Sequence, residues 1–417
     1  MNSKHRLVFL EVKPIEHFLM YVYYFFAAIA IFFGIQSLRG GFRYVAYIKR
    51  ETSRPLPDFH PRVSVIAPSR GVEAGLGENL STLLSQDYPS YEVLFVFDRM
   101  DDSAIDVLNR LNKSEVSFRT IIAGPATDSG QKVHNLRHAV KEVDPRSEVL
   151  VFVDTDARPN KLWLRQLVAP LADEKLGASS GYRWFVSERG GIASRLRSVW
   201  NATVASGFSE NQQKNFCWGG STAIRRTVFE QLNISDRWRG SVSDDFTITT
   251  VIKEANLPIH FAANCLVASI GDCNFRELFE FTTRQIKITR VYASHLWQGL
   301  LFGSSLFAIV FFGGSLLLLA RLLLGLPVVL LATVLGIVFL LGAVKGYIRL
   351  RVVGIPLKSY RKELSRDILA HIFLWPFGSL LYLYNSIVAG FSRRISWRGI
   401  TYELKSPTEA VIISRDS

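Results

Sequence analysis

Four apolar blocks frame this chain and leave a polar middle between them. Residues 17–36 are nearly all aliphatic or aromatic, about 20 residues, the length at which one helix crosses a hydrocarbon core. Residues 299–320 and 322–344 are each long enough to span, and the short break at Arg321 predicts a tight hairpin. The fourth block, 368–390, carries Pro376 and Gly378 near its middle, so it reads either as a span or as a re-entrant or interfacial pair of half-helices. With 48% hydrophobic but 20% charged residues, the apolar side chains must be concentrated, and these blocks are where.

Charge orients the blocks. The formal net charge is +13, and much of the excess flanks apolar segments: Arg39, Arg43, Lys49, Arg50 and Arg54 after the first, then 345–366 and 393–398. That placement is the positive-inside signal and suits anionic headgroups. No nucleic-acid motif accompanies it, so no nucleic-acid partner is expected. The first block is long for a cleaved signal peptide and lacks a small-residue cleavage site, which favours a signal anchor with a short N-terminus outside. Three cysteines, an odd number without metal-ligand spacing, fit a reducing, cytosolic setting. The expectation is an integral membrane protein with a cytosolic catalytic domain, and the absence of targeting signals points to a bacterial inner membrane.

The middle of the chain alternates strands and helices. Strands read at 63–68, 92–97, 117–123 and 148–153; helices near 78–86, 104–112, 132–143 and 161–171. Such alternation implies an α/β fold with a mostly parallel sheet flanked by helices. Segment 275–296 is amphipathic, with aromatics among Arg276, Arg284, Lys287 and Arg290, as in an interfacial helix. The expected organisation is a short N-terminus (1–16), a transmembrane anchor (17–38), a basic linker (39–61), a cytosolic catalytic domain (62–274) and an interfacial helix (275–297). A transmembrane hairpin (298–345), a basic cytosolic loop (346–367), a membrane or re-entrant segment (368–391) and a basic tail (392–417) follow.

The chemistry gathers at strand ends. Glu148-Val-Leu-Val-Phe-Val-Asp154-Thr-Asp156 is a buried-strand pattern closing on two carboxylates. Ligands of open α/β sheets bind beyond the strands' carboxyl ends. Mg²⁺ or Mn²⁺ bound there would take one or two carboxylates and complete its shell from water and phosphate. Capping of the next helix is the other reading of Asp154 and Asp156. The first strand ends in Pro68-Ser-Arg70-Gly-Val-Glu73, where glycine spacing does not match a dinucleotide-binding fingerprint. The second ends in Asp98-Arg-Met-Asp101-Asp102, carboxylates that can hold a base or ribose or cap the following helix. Lys132 opens a helix, unfavourable for the dipole unless an anion sits beside it. Trp218-Gly219-Gly220 lets the backbone approach a sugar, or simply turns. Ser243-Asp244-Asp245-Phe pairs two carboxylates that raise each other's pKa, which suits a general base and equally a helix start.

In order and spacing these features resemble the family-two-type glycosyltransferases of the A fold, within them the ceramide glucosyltransferase-like branch. The matching residues are 76–83, Asp87-Tyr-Pro-Ser-Tyr-Glu92, Asp101-Asp102-Ser-Ala-Ile, Lys132-Val-His-Asn-Leu, Asp154-Thr-Asp156, Gly219-Gly220, Ser243-Asp244-Asp245-Phe and Ile395-Ser-Trp-Arg-Gly. The resemblance implies a nucleotide-diphosphate sugar, a UDP-sugar foremost, as donor. It places Pro68, Arg70, Glu73, Asp98, Asp101, Asp102, Lys132 and Asp154 at the donor, Asp154 and Asp156 on the metal, and Asp245 as base with Asp244 beside it. Gly219, Gly220, Trp218, Arg284, Gln285 and Lys287 would face the acceptor and diphosphate. Two departures stand out: Asp-Asp replaces the family's Glu-Asp, and Arg284-Gln285-Ile-Lys287 lacks the tryptophan of its (Gln/Arg)-x-x-Arg-Trp motif. The implied activity is inverting transfer of a glucose-like or N-acetylglucosamine-like sugar to a lipid hydroxyl. A polyprenyl phosphate or growing polysaccharide is the alternative acceptor, and an inactive scaffold binding nucleotide sugar or lipid is the alternative of another class.

Overall fold

The computed structural model describes residues 3–73, 75–111 and 116–415, with side chains from residue 17 onward. Seven strands form the central sheet: β1 (Val63–Pro68), β2 (Tyr91–Phe97), β3 (Phe118–Ile122), β4 (Val149–Val153), β5 (Ala178–Val186), β6 (Ser221–Arg225) and β7 (Ile259–Ile270). They lie in the order β3-β2-β1-β4-β6-β5-β7, and β6 runs opposite to the rest. This is the mostly parallel α/β sheet of the A-type fold that the sequence implies. The first four strands and their helices fall within a few residues of expectation; Asn112, the expected end of one helix, lies outside the described residues.

Both faces of the sheet are covered. Val63, Val65, Ala67, Val149, Val151 and Val153 point into one apolar layer, and Ile66, Leu150 and Phe152 into the other. That is why these strands are apolar throughout rather than alternating. β1 sits between β2 and β4, so the chain order reverses there. A crevice opens beyond the carboxyl ends at such a reversal.

The first helix is longer than the expected anchor, running Ser3–Ser53. Nothing halts it before Pro55, so the basic stretch after residue 38 stays helical and carries Tyr44, Tyr47 and Ile48 into the sheet's core. Among the described residues three helices are long and apolar enough to cross a membrane: His17–Ser53, Ser294–Leu323 and Val329–Val353. The turn between the last two lies at 324–328 rather than at Arg321. Arg321 remains helical and its Nε donates to the Pro327 carbonyl at 3.0 Å, while Gly325 makes the turn at φ +64°. The interfacial segment forms Phe275–Tyr292 behind an Asn274/Glu277 capping box and breaks at Ala293, before the next helix.

The fourth apolar block is a pair of helices, Ile368–Phe373 and Trp375–Phe391, hinged at Leu374 so that Pro376 falls in the second helix's first turn. Both ends of the pair reach the sheet domain or helix Phe275–Tyr292. Asp367 pairs with Arg195 at 3.1 Å, and Lys287 reaches Ser392 and the Arg394 carbonyl. The two ends of the block are thus both tied to residues of the sheet domain or of helix Phe275–Tyr292.

Beyond it the expected basic tail is a three-stranded antiparallel sheet, β8 (Arg394–Trp397), β9 (Ile400–Ser406) and β10 (Glu409–Arg415). Ile400, Tyr402 and Leu404 alternate with polar neighbours and bury one face. The Tyr402 hydroxyl accepts from the Gln131 N–H, which ties this sheet to the helix carrying Lys132. Gly240 docks the β9–β10 turn: its φ is +71°, and a Cβ there would lie 1.8 Å from the Thr408 carbonyl oxygen. Gly240→Ala is expected to cost the left-handed penalty of about 1–2 kcal/mol plus displacement of that turn. Differential scanning fluorimetry would show it as a lowered Tm, and an unchanged Tm would mean the turn yields freely.

Candidate active site

Asp154 and Asp156 follow β4 at the centre of the crevice, in a loop fixed from both sides. The Ala157 N–H returns to the Asp154 carbonyl, and the Asn79 side-chain amide donates to the Thr155 carbonyl. Lys132, in the first turn of helix Gln131–Ala139, places its Nζ 2.7 Å from Asp154 Oδ1 and 3.1 Å from Asp244 Oδ1. Arg183 on β5 lies 3.2 Å from Asp156 Oδ2 and 3.7 Å from Asp154 Oδ2. Two cations thus hold three carboxylates, two from the loop after β4 and one from the helix Asp244–Glu254.

The electrostatics follow from burial. Burial opposes the charge on Asp154, but Lys132 and Arg183 outweigh it and hold the carboxyl below the usual range. Burial also opposes the charge on Lys132, and Asp154, Asp244 and Asp245 more than compensate, so its ammonium persists. Asp244, 3% exposed, is pushed up to about 6 by burial despite Lys132, with Asp245 and Asp154 adding to the rise. Arg284 is driven down to about 10 by burial and by the neighbouring charges of Arg183 and Arg398.

Asp244 and Asp245 open helix Asp244–Glu254, whose N-cap is Ser243. The cap and the carboxylate pair coexist. Asp245 Oδ1 accepts from Ser243 Oγ and from the Phe246 N–H, and Oδ2 accepts from the Gly219 N–H at 3.4 Å. Gly219 has to be glycine on steric grounds. Its carbonyl meets Lys132 Nζ, and a Cβ would sit 2.2 Å from Asp244 Oδ2. At Gly220 a Cβ would strike the Trp218 ring at 2.2 Å, so that glycine serves packing.

A cavity of about 490 Å³ opens from this cluster, lined by Pro68, Arg70, Glu73, Lys132, Asp154, Asp156, Arg284 and Gln285 among the sequence-derived candidates. Asp98 lies behind Arg70, paired at 3.1 Å. Asp102 caps helix Ser103–Asn109 and accepts from the Gly71 N–H, and exposed Asp101 pairs with Arg99. Trp218 is buried beneath Arg183, whose guanidinium stands 4.9 Å from its ring centroid. Lys287 points to the β8 backbone, donating to the Arg394 carbonyl at 2.7 Å.

Sequence reasoning missed other lining residues. Arg183 carried a signal, a lone charge in an otherwise buried strand. Trp397, Arg398 and Tyr402 come from the C-terminal sheet. Arg398 and Gly399, at φ +52° and +71°, form the two-residue hairpin turn between β8 and β9 that thrusts them inward. The Arg284 guanidinium lies between Phe281 and Trp397, 5.7 and 5.6 Å from their ring centroids. Ile288, after Lys287, stands where the family's motif has tryptophan, and an indole reaches Arg284 from a distant hairpin instead.

Among the described residues no group of three or more His, Cys, Asp or Glu side chains could cage a metal. Asp154 and Asp156 fit a hard cation that draws its other ligands from phosphate and water. Buried Asp156 Oδ1 has no hydrogen-bond partner, a free acceptor at the cavity wall.

Comparison with known proteins finds similar glycosyltransferases. Two relatives are ceramide glucosyltransferases 3 and 1 of Caenorhabditis elegans, each 31% identical, over 83 and 102 residues. Those stretches cover 19% and 24% of this chain but only 18% and 22% of the relatives, about a fifth of their length. Among solved structures, the mannosyltransferase PcManGT from Pyrobaculum calidifontis in complex with GDP-Man and Mn²⁺ aligns over 88% of this chain and 99% of its own, with 17% identity and a TM-score of 0.46. Glucosyl-3-phosphoglycerate synthase from Mycobacterium tuberculosis, with Mn²⁺ and UDP-glucose, aligns over 55% of this chain and 78% of its own, with 15% identity and a TM-score of 0.35. The family model for glycosyl transferase family 21 matches residues 22–410, nearly the whole chain, and the protein is a glycosyltransferase belonging to that family.

Proposed function

We propose that this glycosyltransferase moves a sugar from a nucleotide-diphosphate donor, a UDP-sugar foremost, to the hydroxyl of a membrane lipid, with inversion, at the cytosolic face. The carrying observation is the Lys132–Asp154–Asp156–Arg183–Asp244 cluster opening into a cavity walled by the interfacial helix. The relatives named ceramide glucosyltransferases support a lipid acceptor. Positive charge on the domain side of the membrane helices supports the cytosolic face: Arg39, Arg43, Lys49 and Arg50 on the first, Lys345, Arg349 and Arg351 on the third.

In this reading Asp154 and Asp156 hold Mg²⁺ or Mn²⁺, which supplies charge neutralisation at the diphosphate. Lys132, Arg183 and Arg284 bind the diphosphate oxygens and stabilise their charge as the sugar leaves. Asp245 takes the proton of the acceptor hydroxyl, whose oxygen attacks the anomeric carbon opposite the leaving group. Phe281 and Trp397 exclude water around Arg284.

The test is transfer of labelled sugar into a lipid extract by the full chain in detergent with Mn²⁺. A product extractable into organic solvent and stable to mild acid marks a glycoside on a hydroxyl. An acid-labile product would mark a phosphate acceptor and overturn the acceptor class. Asp154→Asn is expected to weaken the response to Mn²⁺ more than about tenfold; an unchanged response would remove Asp154 from the metal.

A further inference from the structure

A second cavity, of about 590 Å³, lies between the three spanning helices, helix Ile192–Ala205 and the Trp375–Phe391 helix. Its volume is within the range of ligand sites. It is separate from the donor cavity. Trp200 lines it, Phe281 lines the other, and those rings meet edge to face with centroids 6.0 Å apart.

Two parts of this cavity's lining differ in chemistry. On helix Ser294–Phe307, Gly299 and Gly303, a helical turn apart, have open space where a Cβ would stand, so the missing side chains form an apolar slot. Lys345 and Arg349 stand four residues apart on the face of helix Val329–Val353 that lines the cavity. Like charges at that spacing repel. Among the described residues no Asp or Glu lines the cavity to offset them. Lys345 donates to the Ser37 hydroxyl. Arg349 is 9% exposed, too buried to snorkel to water, and its Nε has no hydrogen-bond partner. A buried guanidinium without an acceptor at membrane depth calls for an anion.

We propose that this cavity binds an anionic membrane lipid, its phosphate between Lys345 and Arg349 and its chain in the slot over Gly299 and Gly303. A phosphodiester supplies the acceptors that Arg349 lacks, and a chain fills space that no side chain occupies. The site is additional to the donor cavity and does not depend on the sugar chemistry proposed above.

The test uses the full chain in dodecyl maltoside, titrated with phosphatidylglycerol or with phosphatidylcholine of the same chains and read by native mass spectrometry. Wild type is expected to hold one phosphatidylglycerol at least about tenfold more tightly than phosphatidylcholine, and Arg349→Gln to erase that preference. Gly303→Phe, which fills the slot and keeps both cations, is expected to weaken both lipids. Asp154→Asn should leave phosphatidylglycerol binding intact, which separates this site from the donor site. Equal binding of the two lipids by wild type would overturn the proposal. So would an unaltered preference in Arg349→Gln, or displacement of the lipid by millimolar inorganic phosphate with Gly303→Phe still binding normally, the signature of a free-anion site.

Discussion

Asp245→Asn is expected to keep the fold and donor affinity while kcat falls about 10²–10⁴-fold, the contribution typical of a positioned general base. The carboxylate is well anchored: Ser243 Oγ and the Phe246 N–H hold one oxygen, and the Gly219 N–H reaches the other. Asparagine matches it in size but cannot take the acceptor proton. Asp244→Asn should behave differently, because Asp244 binds Lys132, and its loss should appear first in the KM for donor. Steady-state kinetics on the two variants decide the roles. A normal kcat in Asp245→Asn with a collapsed kcat in Asp244→Asn would exchange them.

Lys132→Met should give the largest loss of stability. The ammonium sits between two carboxylates, Asp154 and Asp244, that face each other across the crevice. Removing one partner from a buried ion pair costs about 3–5 kcal/mol, because the remaining charges are left uncompensated. The sign of the pH dependence follows. Asp244 is raised from the unfolded carboxylate range to about 6, so the folded chain binds more protons over that window and stability falls as pH rises through it. Without Lys132 that window extends upward for Asp244, and Asp154 loses the main cation that holds it low. The Tm deficit of Lys132→Met should therefore be large at pH 8 and shrink toward pH 5. Equal deficits at both pH values would show that Lys132 contributes packing rather than charge.

The strand-end wall of the cavity was legible because local rules govern it. Strands buried on both faces are apolar without interruption, so β1, β2 and β4 could be read nearly to the residue, and with them the positions of Pro68, Asp98 and Asp154. Lys132 stood out because a lysine in a helix's first turn opposes the dipole. Asp102 was open to two readings, and the cap accounts for it, since its carboxylate serves both the Ala104 and Gly71 N–H groups. The other wall of the cavity depends on distant docking. No local pattern brings Trp397 to Arg284 across more than a hundred residues; β8 and β9 had first to fold back over the interfacial helix. From their charge residues 392–417 read as a basic tail, and sequence reasoning missed the alternation at Ile400, Tyr402 and Leu404 that marks a strand.

The first helix bears on how this protein can be divided. Its last turns are part of the domain: the Tyr47 hydroxyl donates to the Phe261 carbonyl at 2.6 Å, Glu51 lies 3.2 Å from His260, and Ile48 is wholly buried against the sheet. A soluble fragment begun after the apolar stretch at residue 62 would lack one wall of its own core and expose β7. Anchor and catalyst are one folding unit, and a truncation that keeps the enzyme intact must retain the helix back to Tyr44 at least.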